Sequence, residues 1–177
     1  IKKTIFEQFC GGETIHECDR AIESLAKSGI GTILDYSVEG EESESTFELT
    51  AAEILKTIER AKGNKDIPFS VFKTTGIMSS EVLESASLVI ENNGVSDISL
   101  VENQLESQLI PDWQKGYARF MKLCKSAAES KVQIFVDAEE TWNVYRAASC
   151  MMGRRDPGPM KTPPEPEPEI TEGSLSA

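Results

Sequence analysis

Three short runs in this chain carry apolar side chains on consecutive residues: "TIL" within 31–40, "IPFSVF" within 67–73, and "VQIFV" at 132–136. A strand with one wet face alternates apolar and polar residues, whereas a near-continuous apolar run marks a strand covered on both faces. Parallel strands with helical crossovers have that property, because two parallel neighbours cannot be joined by a tight turn. The segments between the runs show the other period, with apolar residues recurring every three or four positions. The resulting order is strand, helix, strand, helix, strand, helix, strand. It predicts an α/β fold built on a parallel sheet.

The elements follow from local signals. "TIFEQF" at 4–9 reads as a short lead-in strand closed by Gly11 and Gly12. A helix is expected from Thr14 to Ser28, with Ile15, Cys18, Ile22 and Leu25 on one face and a Thr14/Glu17 capping box. Residues 31–40 form the next strand and 46–62 the next helix. Leu49, Ala52, Leu55, Ile58 and Ala61 are that helix's expected stripe, with Ile54 beside it. Strand 67–73 precedes helical pieces over 79–110, broken near "ENNGVSD". A further helix runs from Asp112 to Ser130, with Tyr117, Phe120, Met121, Cys124 and Ala128 as its expected buried stripe, and strand 132–136 follows. After Trp142 the rhythm stops. A short helix or coil is expected over 143–152. Six of the eight prolines lie in 157–168, and 156–177 hold five acids and one lysine. Such a segment buries too little apolar area to offset its chain entropy, so 153–177 is expected to be a disordered Pro/Glu-rich tail.

Composition removes several function classes. With 177 residues the chain has enough length for one ordinary domain and a real core. The net charge of −12 argues against nucleic acid as a main partner and against simple adhesion to anionic lipid. No apolar run reaches the length of about 18 residues that reads as a spanning segment. Cys10, Cys18, Cys124 and Cys150 are scattered and His16 is the only histidine, so no metal site is expected, zinc included. The cysteines read as reduced thiols, and His16 as a surface residue. The chain begins at Ile1, which reads as processed or cut from something longer.

The strand ends carry the chemistry. "ILDYSVE" places Asp35 and Glu39 at and just past one strand end, "VFK" ends in Lys73, and "IFVD" ends in Asp137. In an α/β barrel and in a doubly wound sheet alike, the carboxyl ends of the strands share one edge, and that edge holds the ligand. A lone charge there is costly to desolvate, so a pocket carrying both signs is the natural arrangement. Each residue has a plainer reading. Asp137 with Glu140 makes a helix-capping D-x-x-E box. Lys73 can extend its stem to water. Glu39 can be one more acid on a solvated loop, and Asp35 a turn residue. The recurrence of Asp, Lys and Asp at the same end of successive strands favours a site.

"FCGGE", "ILDYSVEGE", "VFKTTGI" and "VDAEETW", in this order and spacing, resemble proline dehydrogenase over residues 4–142. The resemblance implies a (β/α)8 barrel of the TIM type holding FAD. It implies oxidation of L-proline to Δ1-pyrroline-5-carboxylate, with electrons passed to a membrane quinone. By position it makes Lys73 the contact for the proline carboxylate and Asp137 the aspartate of the proline pocket. Glu39 becomes the glutamate that pairs with a pocket arginine, and Asp35 the acid opening the same motif. It implies the matrix side of the inner mitochondrial membrane in a eukaryote, or the cytoplasm in a bacterium. A full barrel takes eight strands and about 250 residues. Only the first three barrel strands and their helices are expected here, so the flavin-binding residues stay unassigned. Arg154 and Arg155 take no substrate role. Residues 143–177 read as foreign to the family, and the chain as an incomplete barrel, inactive alone. Two other functions remain open: a barrel lyase using Lys73 as a Schiff-base amine, and a non-catalytic acidic interaction module.

Overall fold

The computed structural model describes residues 11, 12, 14–36, 42–93, 97–137 and 142–153. Their order is α1 (Ile15–Ala26), β1 (Ile33–Asp35), α2 (Glu44–Ala61), β2 (Phe69–Lys73), a 3-10 turn (Thr74–Gly76), α3 (Ser80–Asn93), α4 (Ile98–Gln104), α5 (Ile110–Ser130), β3 (Gln133–Asp137) and α6 (Trp142–Met151). The expected lead-in strand at 4–9 lies outside the described residues, as does the tail beyond Gly153.

Helix ends obey their sequence signals. Thr14 caps α1, its Oγ1 accepting the Glu17 N–H at 3.3 Å. Ser43 caps α2 by accepting the Thr46 N–H at 3.2 Å. Each cap satisfies a donor that the first helical turn leaves without a partner. Beyond α2 the chain reverses at Gly63, whose φ of +67° is a conformation that glycine adopts without steric penalty.

The three strands form one parallel sheet in the order β1-β2-β3. Phe69 pairs with Ile33 on one side and Gln133 on the other, and Val71 pairs with Asp35 and Phe135. Side chains alternate between the two faces, so the register sorts them. Leu34, Ser70, Phe72, Ile134 and Val136 share the face that the helices cover, and Ser70 and Phe72 are fully buried. Phe72 meets Phe120 of α5 edge-on, with ring centroids 5.7 Å apart. Ile33, Asp35, Phe69, Val71, Lys73, Phe135 and Asp137 share the opposite face. There Ile33 is 44% and Phe135 49% exposed. The consecutive apolar runs predict strands covered on both faces, but among the described residues one face is covered and the other open.

Two helical stripes differ from expectation. In α2 the buried residues are Phe47, Thr50, Ala51, Ile54, Thr57, Ile58 and Ala61, while Leu49 is exposed. Threonines hold part of the inward face because their hydroxyls have an internal solution. Thr57 Oγ1 donates to the Ile54 carbonyl at 2.8 Å, which leaves Ser70 to donate to Thr57 across 2.9 Å. In α5 the buried face is Trp113, Gly116, Arg119, Phe120, Leu123 and Ala127, with Met121 exposed. A glycine and an arginine occupy that stripe, so counting apolar residues misplaces its phase.

α6 packs against α3. Ala147 donates its backbone N–H to Ser87 Oγ at 3.0 Å, and Arg146 lies 3.5 Å from Glu91. Ala147, Ala148, Cys150 and Met151 are buried.

Candidate functional site

β2 and β3 end together. The last pair in their register is Lys73 opposite Asp137. Residues directly opposed in a parallel sheet point to the same face, and neighbouring strands lie about 4.8 Å apart. An ammonium on a four-carbon stem and a carboxylate are therefore presented side by side, both half-buried, at the carboxyl edge of the open face. Asp35 joins them on that face from β1, one register step lower, opposite Val71. It is more exposed than Asp137. Below the charged edge, the Phe69 and Phe135 rings stack with centroids 4.7 Å apart. The site thus has one cation, two acids and an aromatic floor. Glu39, the other expected site residue, lies outside the described residues.

The segment immediately after Lys73 is unusual for a connection, because three of its residues are buried. Thr74, Ile77 and Met78 are each at most 1% exposed. Glycine is required where this segment meets α5. A Cβ at Gly116 would stand 2.2 Å from the Met78 Cε atom and 2.9 Å from its Cβ. Sequence reasoning missed Arg119, which is 5% exposed on α5. Its Nε donates to Glu48 at 2.7 Å, its Nη2 pairs with Glu44, and its guanidinium lies 5.7 Å from the Phe47 ring centre. A buried cation needs such pairing to offset its lost hydration. The available signal was the helical phase, since Arg119 falls three residues after Gly116 and four before Leu123.

A groove of about 850 Å³ between α1 and α2 is a separate feature. Both of its lining cations are paired, Lys56 with Glu53 of the lining and Arg60 with Asp19 outside it, each at 2.6 Å. It touches Asp35 but neither Lys73 nor Asp137. His16, at its rim, has a 94% exposed side chain.

Cys18, Cys124 and Cys150 are free thiols, and burial pushes each above the ordinary thiol value. Asp97 adds to the rise at Cys150, and Asp19 and Glu17 add to it at Cys18. A raised value favours the neutral thiol, the less reactive form. Among the described residues no group of three or more His, Cys, Asp or Glu is placed to hold a metal ion. No described helix is long and apolar enough to cross a membrane.

The three-stranded parallel sheet with its helices makes the molecule an α/β protein, with opposite charges at the carboxyl ends of two adjacent strands. The proline dehydrogenase family model matches residues 18–153, and the chain belongs to that family. The match continues past the last of the four motifs and takes in α6.

The chain is 32% identical over 166 residues to Proline dehydrogenase 1, mitochondrial, of Dictyostelium discoideum, covering 80% of this chain and 29% of that one. It is 31% identical over 135 residues to Carbapenem antibiotics biosynthesis protein CarD of Pectobacterium carotovorum subsp. carotovorum, covering 75% and 32%. It is 24% identical over 160 residues to Hydroxyproline dehydrogenase of Xenopus laevis, covering 80% and 34%. The chain therefore spans about a third of the length of these relatives. No solved structure matches it.

Proposed function

We propose that this chain carries the first three strands of a proline dehydrogenase-like (β/α)8 barrel and supplies the charged edge that binds L-proline for oxidation to Δ1-pyrroline-5-carboxylate. The observation that carries the reading is the register pair Lys73–Asp137 on the open face. Proline is a zwitterion with a carboxylate and a secondary ammonium on one small ring. A site for it must present a cation and an acid a few ångströms apart on the same side, as this edge does. Lys73 takes the carboxylate as a point charge. Asp137 faces the ammonium, with Asp35 beside it, and Glu39 keeps the role that the family resemblance gives it, pairing with a pocket arginine. The stacked Phe69 and Phe135 rings offer an apolar floor to the ring carbons of proline.

FAD is the cofactor that the family resemblance implies, and the described residues do not fit it. A flavin dinucleotide brings a pyrophosphate, which needs cations or a glycine-rich run of backbone N–H groups. This edge offers Lys73 against Asp35 and Asp137, and no G-x-G-x-x-G segment occurs. FAD therefore belongs to parts of the barrel other than these three strands, as does delivery of electrons to a membrane quinone. This polypeptide alone is inactive on that reading. The compartment follows the source: the matrix side of the inner mitochondrial membrane in a eukaryote, the cytoplasm in a bacterium.

Titration of the purified chain with L-proline, followed by NMR shifts, tests the proposal. The expected result is weak saturable binding, lost in Lys73→Met and in Asp137→Asn, with no proline-dependent dye reduction when FAD is added. Proline binding that survives both substitutions would sink it. Borohydride trapping of a carbonyl compound on Lys73 would instead favour the Schiff-base lyase. A stable chain that ignores proline and holds a protein partner would favour the acidic interaction module.

A further inference from the structure

Arg119 does more than fasten two helices. Its Nη1 donates to the Ile77 carbonyl across 3.0 Å in the buried interior. The Ile77 N–H in turn bonds the Thr74 carbonyl at 3.1 Å, closing the 3-10 turn that begins directly after Lys73. The far end of the same segment is held from another element. Glu42 Oε1 accepts from the Ser80 N–H at 3.2 Å and from Ser80 Oγ at 2.6 Å. Gly76 faces Thr50 of α2 and Gly116 of α5 faces Met78, so the segment packs closely against both helices. Residues 74–80 are thus held between α2 and α5, and the guanidinium is tied to Ile77, four residues past Lys73.

A buried arginine is an inefficient way to gain stability. Replacing a buried ion pair by apolar groups of similar size is often neutral or stabilising, because the desolvation cost disappears. A methionine at 119 would fill much of the same space. It would not reach Ile77 while also pairing with Glu44 and Glu48, which only a forked donor spans. We infer that Arg119 is a positioning residue for Lys73: through Ile77 and the 3-10 turn it fixes where the β2 terminus presents its ammonium beside Asp137. The inference rests on Lys73 being the carboxylate-binding group of the proposed site.

The test reads Lys73 directly. Acylation of each lysine in the full chain is followed by mass spectrometry between about pH 7 and 10, the range approaching the lysine pKa. Each variant is kept below its own melting transition, and exposed Lys65 is the internal reference. Arg119→Met is expected to raise the Lys73-to-Lys65 rate ratio about fivefold, the size of effect that loss of one good contact produces. Arg119→Lys, which keeps the charge and one donor, falls between. Arg60→Met, which removes only the ion pair to Asp19, leaves the ratio unchanged.

The inference is overturned if Arg119→Met leaves the ratio at its wild-type value, or if Lys56 and Lys62 accelerate equally, which marks general loosening. Should Arg119→Met fail to fold, Arg119→Lys decides: a raised ratio supports the inference and a wild-type ratio overturns it. A parallel L-proline titration keeps the two readings apart. A wild-type chain that does not bind proline removes the carboxylate reading, while the labelling ratio still reports on the Arg119 tie.

Discussion

Phe72 and Phe135 lie one strand apart in the same sheet and face opposite ways. Phe72 is fully buried under α5, whereas Phe135 is 49% exposed. The two residue types are identical and the strands are adjacent, so the difference belongs to the faces. The covered face is a packed interior of Leu34, Phe72, Ile134 and Val136 against helices, with Ser70 and Thr57 satisfying each other's hydroxyls. The open face carries Lys73, Asp137, Asp35 and the stacked phenylalanines. Stability resides on the first face, and the second is available for a ligand.

The sharpest way to break this comparison is to truncate both rings. Phe72→Ala should cost about 3–5 kcal/mol, the usual loss for a buried aromatic that leaves a cavity. Phe135→Ala should cost less than about 1 kcal/mol, because half of its ring is already in water. Urea unfolding measures both, and equal losses would show that the open face is a core after all.

A smaller effect is expected inside the covered face. Ser70→Ala should cost about 1 kcal/mol, since Thr57 keeps its bond to the Ile54 carbonyl and loses only a donor. Lys73→Met sharpens the contrast from the other side. Its stability change should stay within about 0.5 kcal/mol. Its affinity for L-proline should fall about tenfold or more, the worth of one hydrogen bond to a charged group. A large stability loss with unchanged proline binding would reverse the roles assigned to the two faces.

The smallest effect lies away from the sheet. The Arg60 hydrogen bond to Asp19 holds the carboxyl below the ordinary aspartate value, with the Arg60 and His16 charges adding to it. A carboxyl depressed in the folded state contributes stability that is present above the unfolded value, near pH 4. That contribution is lost as pH falls through the lower, folded value. Asp19→Asn should therefore remove a small part of stability at pH 7 and change little well below about pH 4, where protonation has already removed that contribution from the wild-type chain. An acid-unfolding curve that the substitution leaves unmoved would show the Arg60 contact to be unimportant in solution.

Much of this was legible in the sequence, and the reasons are specific. The start of α1 at Thr14 and the break between α3 and α4 follow from capping and breaking residues that act within a few positions. The parallel order follows from crossover length. That Lys73 and Asp137 stand at the same edge follows from both being the last residue of a strand in a sheet whose strands all run one way. Two things were not legible. The buried phase of α2 and α5 was misplaced because Thr50, Thr57, Gly116 and Arg119 hold inward positions that a hydrophobicity count assigns to Leu49 and Met121. The openness of one face was hidden because both faces are apolar, so a continuous run such as "SVF" looks the same whether one side is covered or two.

The amino-acid sequence by itself determined the elements, their parallel order and the charges at their ends, because each depends on neighbours within a turn or on the period of side chains along one segment. Only the tertiary structure decided which face the helices take, that Lys73 stands directly opposite Asp137, and that a guanidinium from α5 reaches the turn beyond Lys73. Those outcomes depend on register between strands and on contacts between residues more than forty positions apart in the chain, and no local pattern encodes them.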